Sequence, residues 1–281
     1  MTFLLTGTHI TPAVALIQEI RRRHPQAKVI YVGRSDFSGG KVNVEKMEIE
    51  RMGTIFKPIS FGKLNRFFSL SLLKEIFKIP IGFIQAGQII CREKPDAVIS
   101  FGGYISVTII LMSWLAKIPI LVHEQTTVMG LANKIASPFA TTVAVSWQNL
   151  ASKGRVLTGN PLPEEILGVK KRLRPGKEVL LITGGSQGSE TIDKAVAAIL
   201  PELVRHFEIY HQTSRKKFFV ANVPQNGRLD YHSARWFSTP QFAEISGKTS
   251  IAVSRSGANV VCYLAYLGIP AILIPLPYSG G

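Results

Sequence analysis

The sequence predicts an α/β protein made of two doubly wound, Rossmann-like halves. Three observations carry that reading. Short apolar runs of strand length recur at 2–5, 28–32, 97–100, 120–122, 179–182 and 271–274, as parallel strands covered on both faces should. Several are followed at once by glycine and then by apolar residues at helical spacing, the mark of a βα unit. The pattern stands on both sides of Gly159-Asn160-Pro161-Leu162-Pro163, a proline-rich turn followed by a basic stretch at 170–177. This sets one domain at 1–160 and a second at 161–281.

Strand 2–5 leads into Thr6-Gly7-Thr8-His9 and a helix that Thr11 is placed to cap, with Pro12 in its first turn. Ala13, Val14, Ile17 and Ile20 form its inner face, and Arg21, Arg22 and Arg23 suit the dipole at its end. Strand 28–32 closes the βαβ unit. Residues 34–60 are polar, with a strand at 52–56. Residues 61–90 interleave Phe67, Phe68, Leu72 and Phe77 with Lys63, Arg66, Lys74 and Lys78. Two readings stand for them: core helices, or an apolar patch rimmed with cations that rests on an anionic bilayer.

Strand 97–100 ends in a second glycine turn, Phe101-Gly102-Gly103-Tyr104-Ile105-Ser106. The apolar stretch 105–122 is broken by Lys117 and Pro119 and falls short of the roughly 20 apolar residues of a membrane span. It reads as a buried helix ending near Lys117 and a buried strand. That strand delivers His123-Glu124-Gln125 to a carboxyl edge, where open α/β sheets place their ligands. A helix at 131–140 and a strand at 142–146 follow.

The second half opens on a buried strand, a turn bearing Gly184, Gly185 and Gly188, and a helix with Ile192, Ala195, Val196 and Ile199 at helical spacing. Glycine brings bare N–H groups close to a ligand, and a helix start favours an anion, most often phosphate. Strands are expected at 207–211, 234–237 and 250–253. The last leads into Ser254-Arg255-Ser256-Gly257-Ala258-Asn259 and a helix with Val260, Val261, Leu264 and Leu267 inward. After strand 271–274 a ligand loop and a helix are expected where two glycines stand, so the sequence reads as lacking its carboxyl-terminal end.

With 281 residues, 46% hydrophobic and 18% charged, the chain has the composition of a globular protein with a sizeable core. Its formal net charge of +15 calls for an anionic partner: nucleic acid, membrane or phosphorylated substrate. The basic residues are dispersed and no nucleic-acid motif occurs, which argues against nucleic acid. Cys91 and Cys262 form no disulfide framework and read as small core residues in a reducing cytoplasm. The opening lacks the basic n-region of a secretory signal. A G-x-G-x-x-G fingerprint with its acidic partner and a P-loop lysine are both missing, which argues against a dehydrogenase or an NTPase. No carboxylates cluster at metal-ligand spacing, so no metal is implied.

Taken in order, Thr6–Ala13, the turn at 101–106, His123-Glu124-Gln125 with 130–133, Gly159-Asn160-Pro161, Gly184–Gly188, His211-Gln212-Thr213, 254–258 and Pro275-Leu276-Pro277 resemble the MurG-like glycosyltransferases of GT-B type, family 28. The resemblance spans almost the whole chain. It implies two Rossmann-like domains facing across a cleft, the first turned to acceptor and membrane, the second to the nucleotide sugar. It implies inverting transfer of N-acetylglucosamine from UDP-GlcNAc to undecaprenyl-diphosphate-linked MurNAc-pentapeptide in peptidoglycan synthesis. His9 matches the histidine near the reaction centre and is the expected base. Glu124 is the second choice, or else a structural carboxylate anchoring its loop. Donor contacts fall to Thr6, Gly7 and Thr8, to Gly185, Ser186 and Gln187, to Ser238, and to Arg255, Ser256, Gly257, Ala258 and Asn259. Acceptor contacts fall to Gly102, Gly103, Tyr104, Ser106, Gln125 and Thr126. No cofactor beside the donor is implied, and the protein is expected at the cytoplasmic face of the cell membrane, held peripherally through 61–90. Thr126, Pro163 and Tyr263 depart from the family's asparagine, arginine and ribose-holding glutamate. A degenerate membrane-docking subunit and a UDP-sugar epimerase are the alternatives.

Overall fold

The computed structural model describes residues 1–35, 43–60, 70–171, 176–185, 188–214 and 230–276, with the backbone alone over 70–78. The chain forms two compact units, Met1–Pro163 and Glu164–Ser279.

In the first unit seven strands, β1 (Thr2–Thr6), β2 (Lys28–Arg34), β3 (Ile55–Ile59), β4 (Ala97–Ser100), β5 (Ile120–Glu124), β6 (Thr142–Val145) and β7 (Arg155–Leu157), make one sheet. Its order is β3-β2-β1-β4-β5-β6-β7, and every pair is parallel. The helices are α1 (Ile10–Arg23), α2 (Val44–Arg51), α3 (Leu70–Glu93), α4 (Tyr104–Leu115) and α5 (Leu131–Ala136). Strand alternation divides the core between the two faces. Leu4, Ile30 and Val98 pack with Ile90 of α3 and Ile105 and Ile109 of α4. Leu5, Tyr31 and Ile99 pack with Ala13, Val14 and Ile17 of α1 on the other side.

In the second unit β8 (Glu178–Thr183), β9 (Phe207–Gln212), β10 (Tyr231–Ala234), β11 (Ile251–Arg255) and β12 (Ala271–Ile274) run in the order β10-β9-β8-β11-β12, all parallel. They are joined by α6 (Glu164–Leu167), α7 (Glu190–His206), α8 (Thr239–Lys248) and α9 (Ala258–Tyr266). Ile192, Val196, Leu200 and Val204 of α7 cover Leu180, Ile182 and Ile209. In each sheet the strand order reverses direction beside its first strand, between β1 and β4 and between β8 and β11. Those two switch points are where an open α/β sheet leaves a crevice at its carboxyl edge.

Several expectations are corrected. The cap of α1 is His9, not Thr11, because the helix starts at Ile10. The third strand begins at Ile55, not at 52, because Met52-Gly53 ends the unforeseen helix α2, with Gly53 at φ +65°. Five of the eight residues of that helix are charged, and its signal is Asn43, whose side chain accepts from the Lys46 N–H at 2.9 Å. The strand expected at 234–237 lies at Tyr231–Ala234, and Phe237 and Ser238 instead lead into α8. The helix expected at 131–140 ends at Ala136 and passes into a short 3-10 turn, Ser137–Phe139. Cys91 is exposed and Cys262 half-buried, so neither is a core residue. Cys91 follows the buried Ile90 by one helical position, which turns it outward.

Candidate functional site

At the first switch point the two glycine turns interlock. A Cβ on Gly7 (φ +146°) would lie 3.0 Å from the Gly102 carbonyl oxygen, and one on Gly103 (φ +90°) 2.5 Å from Thr8 Cγ2. Only glycine permits this approach. The Thr8 N–H donates to the Gly102 carbonyl at 3.1 Å, and Phe101 N–H to that of Thr6 at 2.8 Å. The fully buried Tyr31 donates its hydroxyl to the Gly7 carbonyl at 2.7 Å. Gly103 starts α4 without a side-chain cap, so first-turn N–H groups there lack intrahelical acceptors. Tyr104 is part exposed in that turn, whereas Ser106 is buried and spends its hydroxyl on the Gly103 carbonyl at 2.6 Å. Ser106 therefore shapes the turn.

Three ionisable groups meet at the ends of β1 and β5. Burial holds His9 below the ordinary imidazole range, while the charge of Glu124 works the other way. Burial likewise lowers His123, partly opposed by its bond to Gly159 and by Glu124. The tautomer of His123 follows from its neighbours. Gln125 Nε2 donates to His123 Nδ1 at 3.1 Å, so Nε2 carries the proton and donates to the Gly159 carbonyl at 3.1 Å. Gln125 also donates to the His123 carbonyl at 2.9 Å, which commits this buried amide to its neighbour.

Glu124 is only 3% exposed. Its Oε1 accepts from the Thr126 N–H at 2.9 Å and hydroxyl at 2.6 Å. Its Oε2 accepts from the Gly130 N–H at 2.9 Å and Asn133 Nδ2 at 2.8 Å. Burial alone would raise this carboxyl, but the four donors outweigh it and hold the group below the usual carboxylate range. The arrangement makes Glu124 and Thr126 an anchor for the loop that follows β5.

At the second switch point the β8–α7 turn closes on itself. A Cβ on Gly184 would sit 2.3 Å from the Ser189 nitrogen, and one on Gly188 (φ +71°) 2.5 Å from Ser214 Cα. Gly185 (φ +77°) has open space at its Cβ position. Ser186 and Gln187, assigned to the donor diphosphate, lie outside the described residues. Arg255 reaches across from β11, donating to Ser189 Oγ at 2.6 Å and to the Pro275 carbonyl at 3.0 Å. A guanidinium is thus fixed at the amino end of α7, where the helix dipole also favours an anion. Ser256 and Gly257 are exposed at the start of α9, with Ala258 and Asn259 half-buried behind them. The cap of α9 is Gly257, with no side-chain bond, so Ser256 does not cap it. Ser238 caps α8, its N–H donating to Gln241 Oε1 at 2.9 Å. Tyr263 is buried against Phe242, with ring centroids 5.9 Å apart.

Sequence reasoning missed Tyr31 and Asp193 and gave no role to Asn133 and Gln212, all of which hold these turns from beneath. Each is a hydrogen-bonding side chain beside a strand end or in a helix turn facing one. Tyr31 was the one polar-tipped side chain in the apolar core of β2, and that was its signal.

Comparisons with known proteins agree with the two-unit arrangement. Residues 3–145 match the glycosyltransferase family 28 N-terminal domain, and 179–281 match the glycosyltransferase family 28 C-terminal domain. A UDP-N-acetylglucosamine–N-acetylmuramyl-(pentapeptide) pyrophosphoryl-undecaprenol N-acetylglucosamine transferase of Clostridium botulinum (strain Loch Maree / Type A3) is 34% identical, covering 96% of this chain and 76% of its own length. The protein of that name from Listeria monocytogenes serotype 4a (strain HCC23) is also 34% identical, over 97% and 77%. The crystal structure of Acinetobacter baumannii MurG superposes with TM-score 0.65 at 22% identity, covering 99% of this chain and 79% of that one. A UDP-GlcNAc 2-epimerase from Neisseria meningitidis bound to UDP-GlcNAc gives TM-score 0.62 at 16% identity, over 97% and 82%. At those identities the two structures speak for fold alone, the α/β GT-B fold of paired parallel sheets. Matched in order by both domain models and at 34% identity over nearly its full length, the chain belongs to glycosyltransferase family 28.

Proposed function

We propose that the chain is an inverting hexosyltransferase that moves N-acetylglucosamine from UDP-GlcNAc to undecaprenyl-diphosphate-linked MurNAc-pentapeptide, the reaction in the names of its relatives. The observation that carries this reading is a half-buried imidazole, His9, its basicity lowered by burial, with the anchored Glu124 carboxylate acting on it at a glycine-lined switch point. His9 takes the proton of the acceptor hydroxyl as its oxygen bonds to C1 of the sugar. The C1–O bond to the β-phosphate breaks, and its electron pair leaves with UDP. Glu124 is the anchor and electrostatic partner, because its lone pairs already serve four donors, and its charge favours the imidazolium that forms.

In the first unit Thr6, Gly7 and Thr8 border the donor. The amino end of α4, with Gly102, Gly103 and Tyr104, faces the acceptor diphosphate, while Gln125, Thr126 and Ser106 position the loops around it. In the second unit Gly185, Ser186 and Gln187 meet the donor diphosphate with Arg255 and the 256–259 turn, and the backbone at Ser238 meets the uracil. The donor is a substrate, and the reading needs no further cofactor or metal: helix amino ends and a guanidinium supply the positive field for the departing diphosphate.

The acceptor's lipid calls for a membrane-facing surface on the cytoplasmic side, engaged peripherally. No described helix is long and apolar enough to cross a membrane. Residues 61–69 lie outside the described residues, and exposed apolar side chains elsewhere in the first unit support the reading. Trp114 and Leu115 at the end of α4 are 50% and 64% exposed, and Leu131 of α5 is 67% exposed. Ile81 and Ile84 of α3 are exposed too, with Lys117 and Lys134 also at the surface. Apolar anchors flanked by cations suit an anionic bilayer.

The test is transfer of radiolabelled sugar from UDP-GlcNAc to the lipid-linked acceptor, followed as labelled lipid and released UDP. Labelled disaccharide lipid supports the reading. Donor binding without transfer favours the degenerate docking subunit, and isomerised donor without acceptor favours the epimerase.

A further inference from the structure

We propose that Gln212 is a positioning residue that sets the spacing between the two parts of the second unit that grip a nucleoside diphosphate. The inference rests on the donor reading above and deepens it. Gln212 ends β9 and is 2% exposed. Its Nε2 donates to the Gly185 carbonyl at 2.7 Å, in the turn assigned to the diphosphate. Its Oε1 accepts from the Phe237 N–H at 3.4 Å, beside the Ser238 backbone assigned to the base. One amide therefore joins the β8–α7 turn to the β10–α8 connection, two segments that share no strand.

The residues on either side keep that amide from swinging. Tyr231 of β10 donates its hydroxyl to His211 Nδ1 at 3.0 Å, and His211 Nε2 lies 3.2 Å from Asp193 Oδ1 on α7. Asp193 Oδ2 accepts from the Ser214 N–H at 2.9 Å and from its hydroxyl at 2.5 Å. The Thr213 N–H donates to the Ala234 carbonyl at 2.9 Å. Residues 211, 213 and 214 are thus pinned to α7 and β10, and Gln212 is a strut mounted on a fixed base. A preset spacing favours a ligand that fills both ends at once over either fragment alone, since the joined ligand pays the ordering cost once.

The experiment titrates uridine, inorganic pyrophosphate and UDP calorimetrically into the full chain and into its Gln212→Met variant. The expected result is a UDP Kd raised about tenfold, with the fragments held within about twofold. Loss of all three affinities together overturns the proposal, because that is the signature of general loosening. Unchanged UDP binding by the variant also overturns it and leaves the donor reading intact. Failure of the unaltered chain to bind UDP overturns the donor reading and the proposal with it. Gln212→Glu keeps the acceptor for Phe237 and loses the donor to Gly185, so it must show the same split and serves if Gln212→Met does not fold.

Discussion

Replacing Glu124 with glutamine separates the two roles open to that residue. The carboxylate takes four hydrogen bonds, two on each oxygen. An amide has one oxygen, so one pair of donors must face an NH2 group. The cheaper orientation turns it to Thr126, whose hydroxyl can rotate and accept while its N–H is left unpaired. The other bonds survive without charge assistance, each weaker by about 1 kcal/mol, and the stranded N–H adds about 1 kcal/mol or more. The expected cost is about 4 kcal/mol, concentrated in the loop from 125 to 133. Amide exchange at Thr126 and Gly130 should then speed up about a thousandfold where it proceeds by local opening. Because the folded state holds this carboxyl below its ordinary range, its contribution is present above the ordinary glutamate pKa and lost as pH falls through the lowered value. The acidic limb of kcat/KM carries the mechanistic half of the test. A base must be neutral to act, so His9 gives activity that rises with pH through a midpoint below the ordinary imidazole value and then levels off. Removing the Glu124 charge deprives His9 of its one raising influence and moves that limb to lower pH, with a lower plateau. If Glu124 were the base, the limb would vanish in Glu124→Gln instead of moving. An unmoved limb together with unchanged exchange would refute both the anchoring and the coupling.

Three further outcomes follow from the same geometry. His9→Ala should cut turnover by about a hundredfold or more while the donor Kd measured by titration stays within about twofold; unchanged turnover removes His9 from the chemistry. Gly188→Ala combines a positive φ with a Cβ 2.5 Å from the Ser214 backbone, and should cost the second unit about 3 kcal/mol in urea unfolding and weaken UDP binding. Leu115→Ser with Leu131→Ser should leave thermal stability within about 1 kcal/mol, since both side chains are mostly exposed, yet reduce co-sedimentation with anionic vesicles; retained vesicle binding would shift the membrane contact elsewhere.

How much of this was legible in the sequence depended on the range of the interactions. The strands at 2–5, 97–100, 120–122 and 179–182 were readable because a covered parallel strand is an uninterrupted apolar run, a local signal, whereas 271–274 carries the same run but lies exposed at the sheet edge. α2 escaped because only Val44, Glu48 and Ile49 are buried on it, too few to print a period, and β3 was misplaced by the same oversight. α8 escaped for another reason: the strand expected at 234–237 stopped just short of Ser238, which forms a capping box with Gln241, and of Pro240 in the first turn. The glycine turns were legible as turns. Which neighbours they would touch was not, because the contact of Gly103 with Thr8 joins residues far apart in sequence. Glu124 shows the limit most clearly. Its position at a strand edge predicted importance, but only its four partners decide between a base and an anchor.

Those partners follow a common physical rule. A turn that receives a diphosphate exposes carbonyl oxygens as well as N–H groups, and every free carbonyl would repel the ligand. Here four carbonyls among the described turn residues are claimed from within the protein. Gly7 is claimed by the Tyr31 hydroxyl, Gly102 by the Thr8 N–H and Gly103 by the Ser106 hydroxyl. In the second unit Gly185 is claimed by the Gln212 amide and the Gly188 N–H. Ser106, which sequence alone assigns to ligand contact, points inward because this is its task, whereas Gln125 points inward to hold His123. The amino ends of α4 and α7 lie at these turns, with Arg255 beside the latter. Selectivity for an anion in these turns therefore depends as much on silenced acceptors as on offered donors, and loss of an inward side chain should weaken anion binding without removing any group that touches the anion.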